Sequence, residues 1–154
     1  MEETEKIITV IMAGIHARMS IMLVGNPGQG KSALIRGIAD SMDYGFISII
    51  GSQRDSTDIT GFPVKREITD DDGGTHLVGD YAIPYWQYRI LTIKKVILFL
   101  DEYSNSPPPV QASMLALLNE REFPNGDKVP DETVIIGAMN PVDTAANGFE
   151  LGLP

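Results

Sequence analysis

Apolar residues along the chain fall into two kinds of pattern. Ile7, Val10, Ile11, Ile15 and Met19 recur at spacings of three and four, which predicts a short amphipathic helix, and the glutamates before it suit the positive end of a helix dipole. Ile21-Met22-Leu23-Val24 is instead an unbroken apolar run that stops at a glycine-rich segment. From Ser32 to Met42 the spacing returns to helical, through Leu34, Ile35, Ile38, Ala39 and Met42. Three more apolar runs come later: Phe46 to Ile50, Val96 to Leu100 and Thr133 to Ala138. Runs apolar on both faces belong to parallel strands covered by helices on either side. Between the last two, Pro107 and Pro108 precede Val110, Met114, Leu115, Leu117 and Leu118, a helix with proline at its start. The expected fold is α/β, with a mostly parallel sheet in a three-layer sandwich.

Residues 51–88 fit this scheme least well. They are rich in turn formers and carry Asp70-Asp71-Asp72-Gly73-Gly74 between two alternating stretches, Val64 to Ile68 and Thr75 to Tyr81, which predicts an inserted hairpin. A shorter hairpin is expected around Asn125-Gly126-Asp127, with Glu122-Phe123 on one arm and Lys128-Val129 on the other.

The chain has 154 residues, about one domain's length, of which 43% are hydrophobic and 21% charged, so a packed globule is expected rather than disorder. Its formal net charge of -9 repels polyanions, so nucleic acid is not the expected partner and would need a local basic patch. Without cysteine, thiolate metal sites and cysteine nucleophiles are excluded. The acidic start and the early interruption by His16 and Arg18 give no signal peptide or membrane span, and a cytoplasmic location is the expectation.

Gly25-Asn26-Pro27-Gly28-Gln29-Gly30-Lys31-Ser32 matches G-x-x-x-x-G-K-[ST], after a predicted strand and at the start of a predicted helix. In such a loop successive backbone N–H groups turn toward one anion, Lys31 reaches terminal phosphates and the Ser32 hydroxyl can ligate magnesium. Asp101 comes directly after the run Val96 to Leu100, where a carboxylate can hold hydrated magnesium, and Glu102 beside it can accept a proton from an attacking water. Asn140 closes the last run in the same way, and its amide could position water or touch a γ-phosphate. Cofactor-binding residues are thus expected in Gly25 to Ser32 and Asp101, metal ligands in Ser32 and Asp101, and catalytic groups in Glu102 and Asn140.

Together these segments resemble the AAA+ ATPases and, within them, the MoxR-like branch. Gly14-Ile15-His16 and Asp58-Ile59-Thr60-Gly61 look like segments flanking that family's phosphate loop and second strand. Asp101-Glu102, with Pro108-Pro109-Val110-Gln111 and Leu117-Leu118-Asn119-Glu120-Arg121, resembles its Walker B strand and the helix after it. Val134 to Pro141 resembles its sensor 1 strand, and Gly148 to Pro154 the start of the family's next segment. The resemblance implies that residues 1–154 form a carboxyl-terminally incomplete large subdomain, with 51–88 inserted in it. It also implies ATP or ADP with magnesium, a ring of subunits, usually six, with an arginine contributed by a neighbour, and a client or adaptor protein. That arginine and the family's helical lid are expected beyond Pro154, so the chain is expected to turn over slowly.

Two functions fit these features. The first is Mg-ATP hydrolysis coupled to remodelling of a partner protein; the second is a nucleotide-dependent assembly module with little turnover, a nucleic-acid motor or loader being a weaker third. His16 and His76 have no partner at metal spacing, Asp70 to Asp72 reads as a solvated turn, and Tyr81, Tyr85, Trp86 and Tyr88 read as packing aromatics. Arg121 reads as a solvated helix-end residue.

Overall fold

In the computed structural model, residues 2–26 and 28–141 are described. Helix α1 (Glu3–His16) leads into strand β1 (Ile21–Val24) and helix α2 (Lys31–Ser41), after which comes β2 (Gly45–Ile50). A short helix α3 (Ser56–Thr60) precedes the hairpin strands β3 (Phe62–Thr69) and β4 (Thr75–Ala82), and α4 (Tyr85–Ile93) leads to β5 (Val96–Asp101). Helix α5 (Pro108–Glu120) and β6 (Val134–Met139) complete the order.

The main sheet has the order β1-β6-β5-β2 and every pairing in it is parallel, with Leu23 beside Ala138, Leu98 beside Ile135 and Ile50 beside Asp101. Alternation along β5 sorts its side chains to two faces. Ile97 and Phe99 pack with Ile11 and Ile15 of α1 and Ile35 and Ile38 of α2. Val96, Leu98 and Leu100 pack on the other side with Ile59, Ile90, Val110, Met114 and Leu117. All five β5 residues from Val96 to Leu100 are inaccessible to solvent, as the unbroken apolar run requires of a strand covered on both faces. The sheet is therefore the middle layer of three.

The predicted hairpin forms as β3 and β4, antiparallel from Phe62 opposite Ala82 to Thr69 opposite Thr75, and it stands off the core with nearly every residue exposed. The smaller hairpin also forms, through the Glu122 to Lys128 bridge. Two elements had no counterpart in the apolar pattern. Helix α3 is only five residues long, and α4 buries Ile90 and the polar Gln87, whose amide donates to Asn125 Oδ1 at 3.1 Å. The buried face of α1 also differs from expectation. Ile11 and Ile15 are buried with Ile8 and Met12 beside them, whereas Ile7, Val10 and Met19 are exposed and Met19 lies beyond the helix end.

Candidate functional site

Parallel pairing brings the carboxyl ends of all four strands to one edge, where the segment after each strand meets the others. The loop after β1 is tied to β6 by the Gly25 N–H donating to Met139 O at 3.1 Å. Its turn is closed by the Asn26 N–H donating to Gln29 Oε1 at 3.0 Å. Gly28 and Gly30 have φ of +80° and +75°, and no atom lies within 4 Å of where a Cβ would stand at either position. A side chain there would cost about 1–2 kcal/mol in backbone strain and would fill the space over the loop. Gly30 is also the N-cap of α2, whose first residues Lys31 and Ser32 line the same space, and the N–H groups of a first helical turn have no partner within the helix. Lys31 Nζ donates to Gly25 O at 2.8 Å and Asn26 O at 3.1 Å. Its ammonium is thus folded over the loop and held by neutral carbonyls alone. Pro27 lies outside the described residues.

Opposite the loop, Asp101 closes β5, and its Oδ1 accepts the Glu102 N–H at 2.8 Å. Glu102 sits at φ 55° and ψ 42°, the left-handed region. The conformation is held by three contacts: that N–H, and the Asn105 N–H and Ser106 hydroxyl donating to Glu102 O at 3.1 and 2.9 Å. The Glu102 carboxylate accepts from the Ser52 hydroxyl. Asn140 comes after β6 and its backbone N–H donates to Ser104 Oγ at 3.3 Å.

A cleft of about 200 Å³ separates the two sides, lined by Gly28, Gln29, Gly30, Lys31, Ser32, Asp101, Glu102 and Asn140. Residues far apart in sequence are thus brought to one space, while Gly25 and Asn26 form the inner limb of the loop. Among the described residues, no group of three or more histidines or carboxylates could hold a metal alone. The Ser32 hydroxyl and the Asp101 carboxylate are hard oxygen donors on the same cleft. Such a sparse set fits magnesium, which binds through one or two protein ligands, waters and phosphate oxygens.

Ser52 was not visible as a site residue in the sequence. It lies two residues past Ile50, which stands beside Asp101 in the sheet, so only the strand register brings it to Glu102. The intervening Gly51 is buried, and a Cβ on it would stand 2.0 Å from Ser106 Oγ and 2.5 Å from Met114 Cε. Its lack of a side chain lets the end of β2 lie against the Glu102 turn.

Arg121 is not the solvated residue expected. Its Nη2 donates to Pro130 O at 2.7 Å, its Nη1 is buried without a partner, and it does not line the cleft. Burial pushes its pKa below the usual arginine value, opposed by nearby Asp131 and assisted by Arg18.

Residues 20–152 match the AAA domain, dynein-related subfamily. Two uncharacterised proteins of Methanocaldococcus jannaschii, MJ0079 and MJ0812, are 29% and 28% identical over 142 residues, covering 90% of this chain and 34% of each relative. The chain therefore spans about a third of the length of these curated relatives. A crystal structure of a candidate ATPase from Cytophaga hutchinsonii superposes with a TM-score of 0.57 at 21% identity, over 91% of this chain and 39% of that one. NtrX from Brucella abortus gives 0.56 at 19% identity, over 98% and 34%. At these identities the structures establish the shared fold. The family match covers most of the chain, including the phosphate-loop segment, β5 and β6: the chain belongs to the AAA domain family, dynein-related subfamily, of AAA+ ATPases.

Proposed function

We propose that this chain is the nucleotide-binding unit of a Mg-ATP hydrolase whose cycle remodels a partner protein, as the resemblance to the MoxR-like branch implies. The observation that carries the proposal is the convergence of Lys31, Ser32, Asp101, Glu102 and Asn140 on one cleft. In this reading the loop N–H groups and the start of α2 bind the phosphates. Lys31 exchanges the carbonyls of Gly25 and Asn26 for phosphate oxygens, replacing neutral acceptors by charged ones. Ser32 and Asp101 are the protein groups that would hold magnesium, which when bound neutralises charge on the transferring phosphoryl group. Glu102 accepts a proton from the attacking water, and the Asn140 amide orients that water. Ring assembly, with ATP between subunits, belongs to the same proposal.

The Ser52 contact favours a second reading, in which the chain binds nucleotide with little turnover while the Glu102 carboxylate is engaged. One experiment bears on the division of labour. Glu102→Gln should bind ATP as tightly as the parent while losing turnover, whereas Asp101→Asn should weaken the magnesium dependence of binding. Equal loss of affinity in both variants would contradict these roles.

A further inference from the structure

Away from the phosphate-loop cleft, a groove of about 650 Å³ runs along the outer edge of β2, between α2 on one side and α3 and α4 on the other. Its floor is the strand itself, from Phe46 to Ile49. Among the described residues β2 pairs with β5 and with no strand on its other edge, so alternate peptide groups along that edge point outward without a ladder partner. Such an edge can accept an added strand from another chain.

The walls of the groove carry charge. Arg36, Arg54 and Arg89 all line it, and among the described residues none of the three guanidinium groups makes an ion pair or a side-chain hydrogen bond. Arg36 lies over the Phe46 ring, 4.5 Å from its centroid, which orients the group without neutralising it. A single acid, Asp58, faces them, and its carboxylate already accepts the Asp55 N–H at 3.1 Å. In a chain with 21 acidic residues and a net charge of -9, three uncompensated arginines on one groove form a local inversion of the surface field.

The arginines lie on both sides of the edge. Phe46 packs with the α2 layer, where Arg36 sits, whereas Ile47 and Ile49 pack with the layer that holds α3 and α4, near Arg54 and Arg89. A strand added to β2 would send alternate side chains toward each wall.

We propose that this groove binds an extended peptide segment of a partner protein by strand addition to β2, with carboxylates at neighbouring positions meeting Arg36 on one wall and Arg54 and Arg89 on the other. A main-chain edge as floor favours a peptide over single-stranded nucleic acid, which takes its affinity from base stacking and continuous phosphate neutralisation. The proposal does not depend on nucleotide at the other cleft.

The test is fluorescence anisotropy with a fluorescein-labelled nonapeptide of three Val-Glu-Glu repeats, added to the full chain. Binding is expected, with affinity reduced at least tenfold in the Arg54→Glu/Arg89→Glu double variant, and reduced again when Arg36→Glu is added. The same peptide with alternate backbone nitrogens methylated should bind at least tenfold more weakly, and this comparison needs no variant to fold. A Val-Lys-Lys nonapeptide should not bind. Four results would overturn the proposal: no binding of the glutamate peptide at millimolar concentration, equal binding of the methylated peptide, indifference to the arginine changes, or tighter binding of a nine-nucleotide oligo-dT that the same variants abolish.

Discussion

Lys31 and Glu102 each hold a partner within the protein, and in the proposed cycle each would exchange that partner for nucleotide or water. Lys31 is held by carbonyls of its own loop, while Glu102 is held by Ser52 from the neighbouring strand end. If Ser52 restrains Glu102, Ser52→Ala should raise the steady-state rate of phosphate release severalfold at saturating ATP; a drop in rate would mean that the hydroxyl orients the base instead. The loop, Asp101 and Asn140 were legible in the sequence because each stands at the end of an apolar run. Ser52 was not, because its contact with Glu102 is set by the register of two strands fifty residues apart. Asp55 makes a different kind of residue-scale prediction. Its side chain caps α3 by accepting from the Thr57 hydroxyl and the Thr57 and Asp58 N–H groups, which lower its pKa below the ordinary 3.8. The cap therefore contributes stability above the unfolded-state pKa, and that contribution is lost as pH falls through the lower folded-state value. Asp55→Ala should be less stable than the parent in urea at neutral pH, with the difference shrinking as the solution is acidified well below pH 3.8.

Among the elements, β5 carries the core and ends on Asp101, beside Glu102, the residues proposed to hold magnesium and to accept the water's proton. Leu98 is fully buried at its centre, and Leu98→Ala should lower unfolding free energy by about 2–5 kcal/mol in urea titration. The β3–β4 hairpin is the opposite case. Replacing residues 65–79 by an Asn-Gly turn should change stability by less than about 0.5 kcal/mol, since both faces of the hairpin already meet solvent. A large loss would mean that the hairpin supports the core. Strands and long helices were legible because burial on two faces or on one stripe imposes an apolar pattern. Helix α4 was not, because Tyr85 and Tyr88 are exposed and a glutamine fills one of its buried positions. In α1 the spacing alone left the buried stripe ambiguous, since a helix rich in isoleucine and valine offers two overlapping faces and the packing against β5 and β6 selects Ile8, Ile11, Met12 and Ile15.

For the molecule as a whole, one sheet edge gathers the groups proposed to bind phosphate, while an acidic surface is inverted locally along β2. Everything proposed for the first cleft depends on the Gly25 to Ser32 loop binding Mg-ATP. A ligand that binds only the folded chain stabilises it by about 2.7 kcal/mol at a hundred times its dissociation constant, so binding should be visible as a raised unfolding temperature. Calorimetric titration of Mg-ATP into the parent chain and into Lys31→Ala is the decisive comparison. Binding is expected at one site per chain in the parent, with at least a tenfold loss of affinity in the variant, whose unfolding without nucleotide stays unchanged. Equal affinity in the two proteins, or no heat of binding in the parent, would rule out this loop as the nucleotide site.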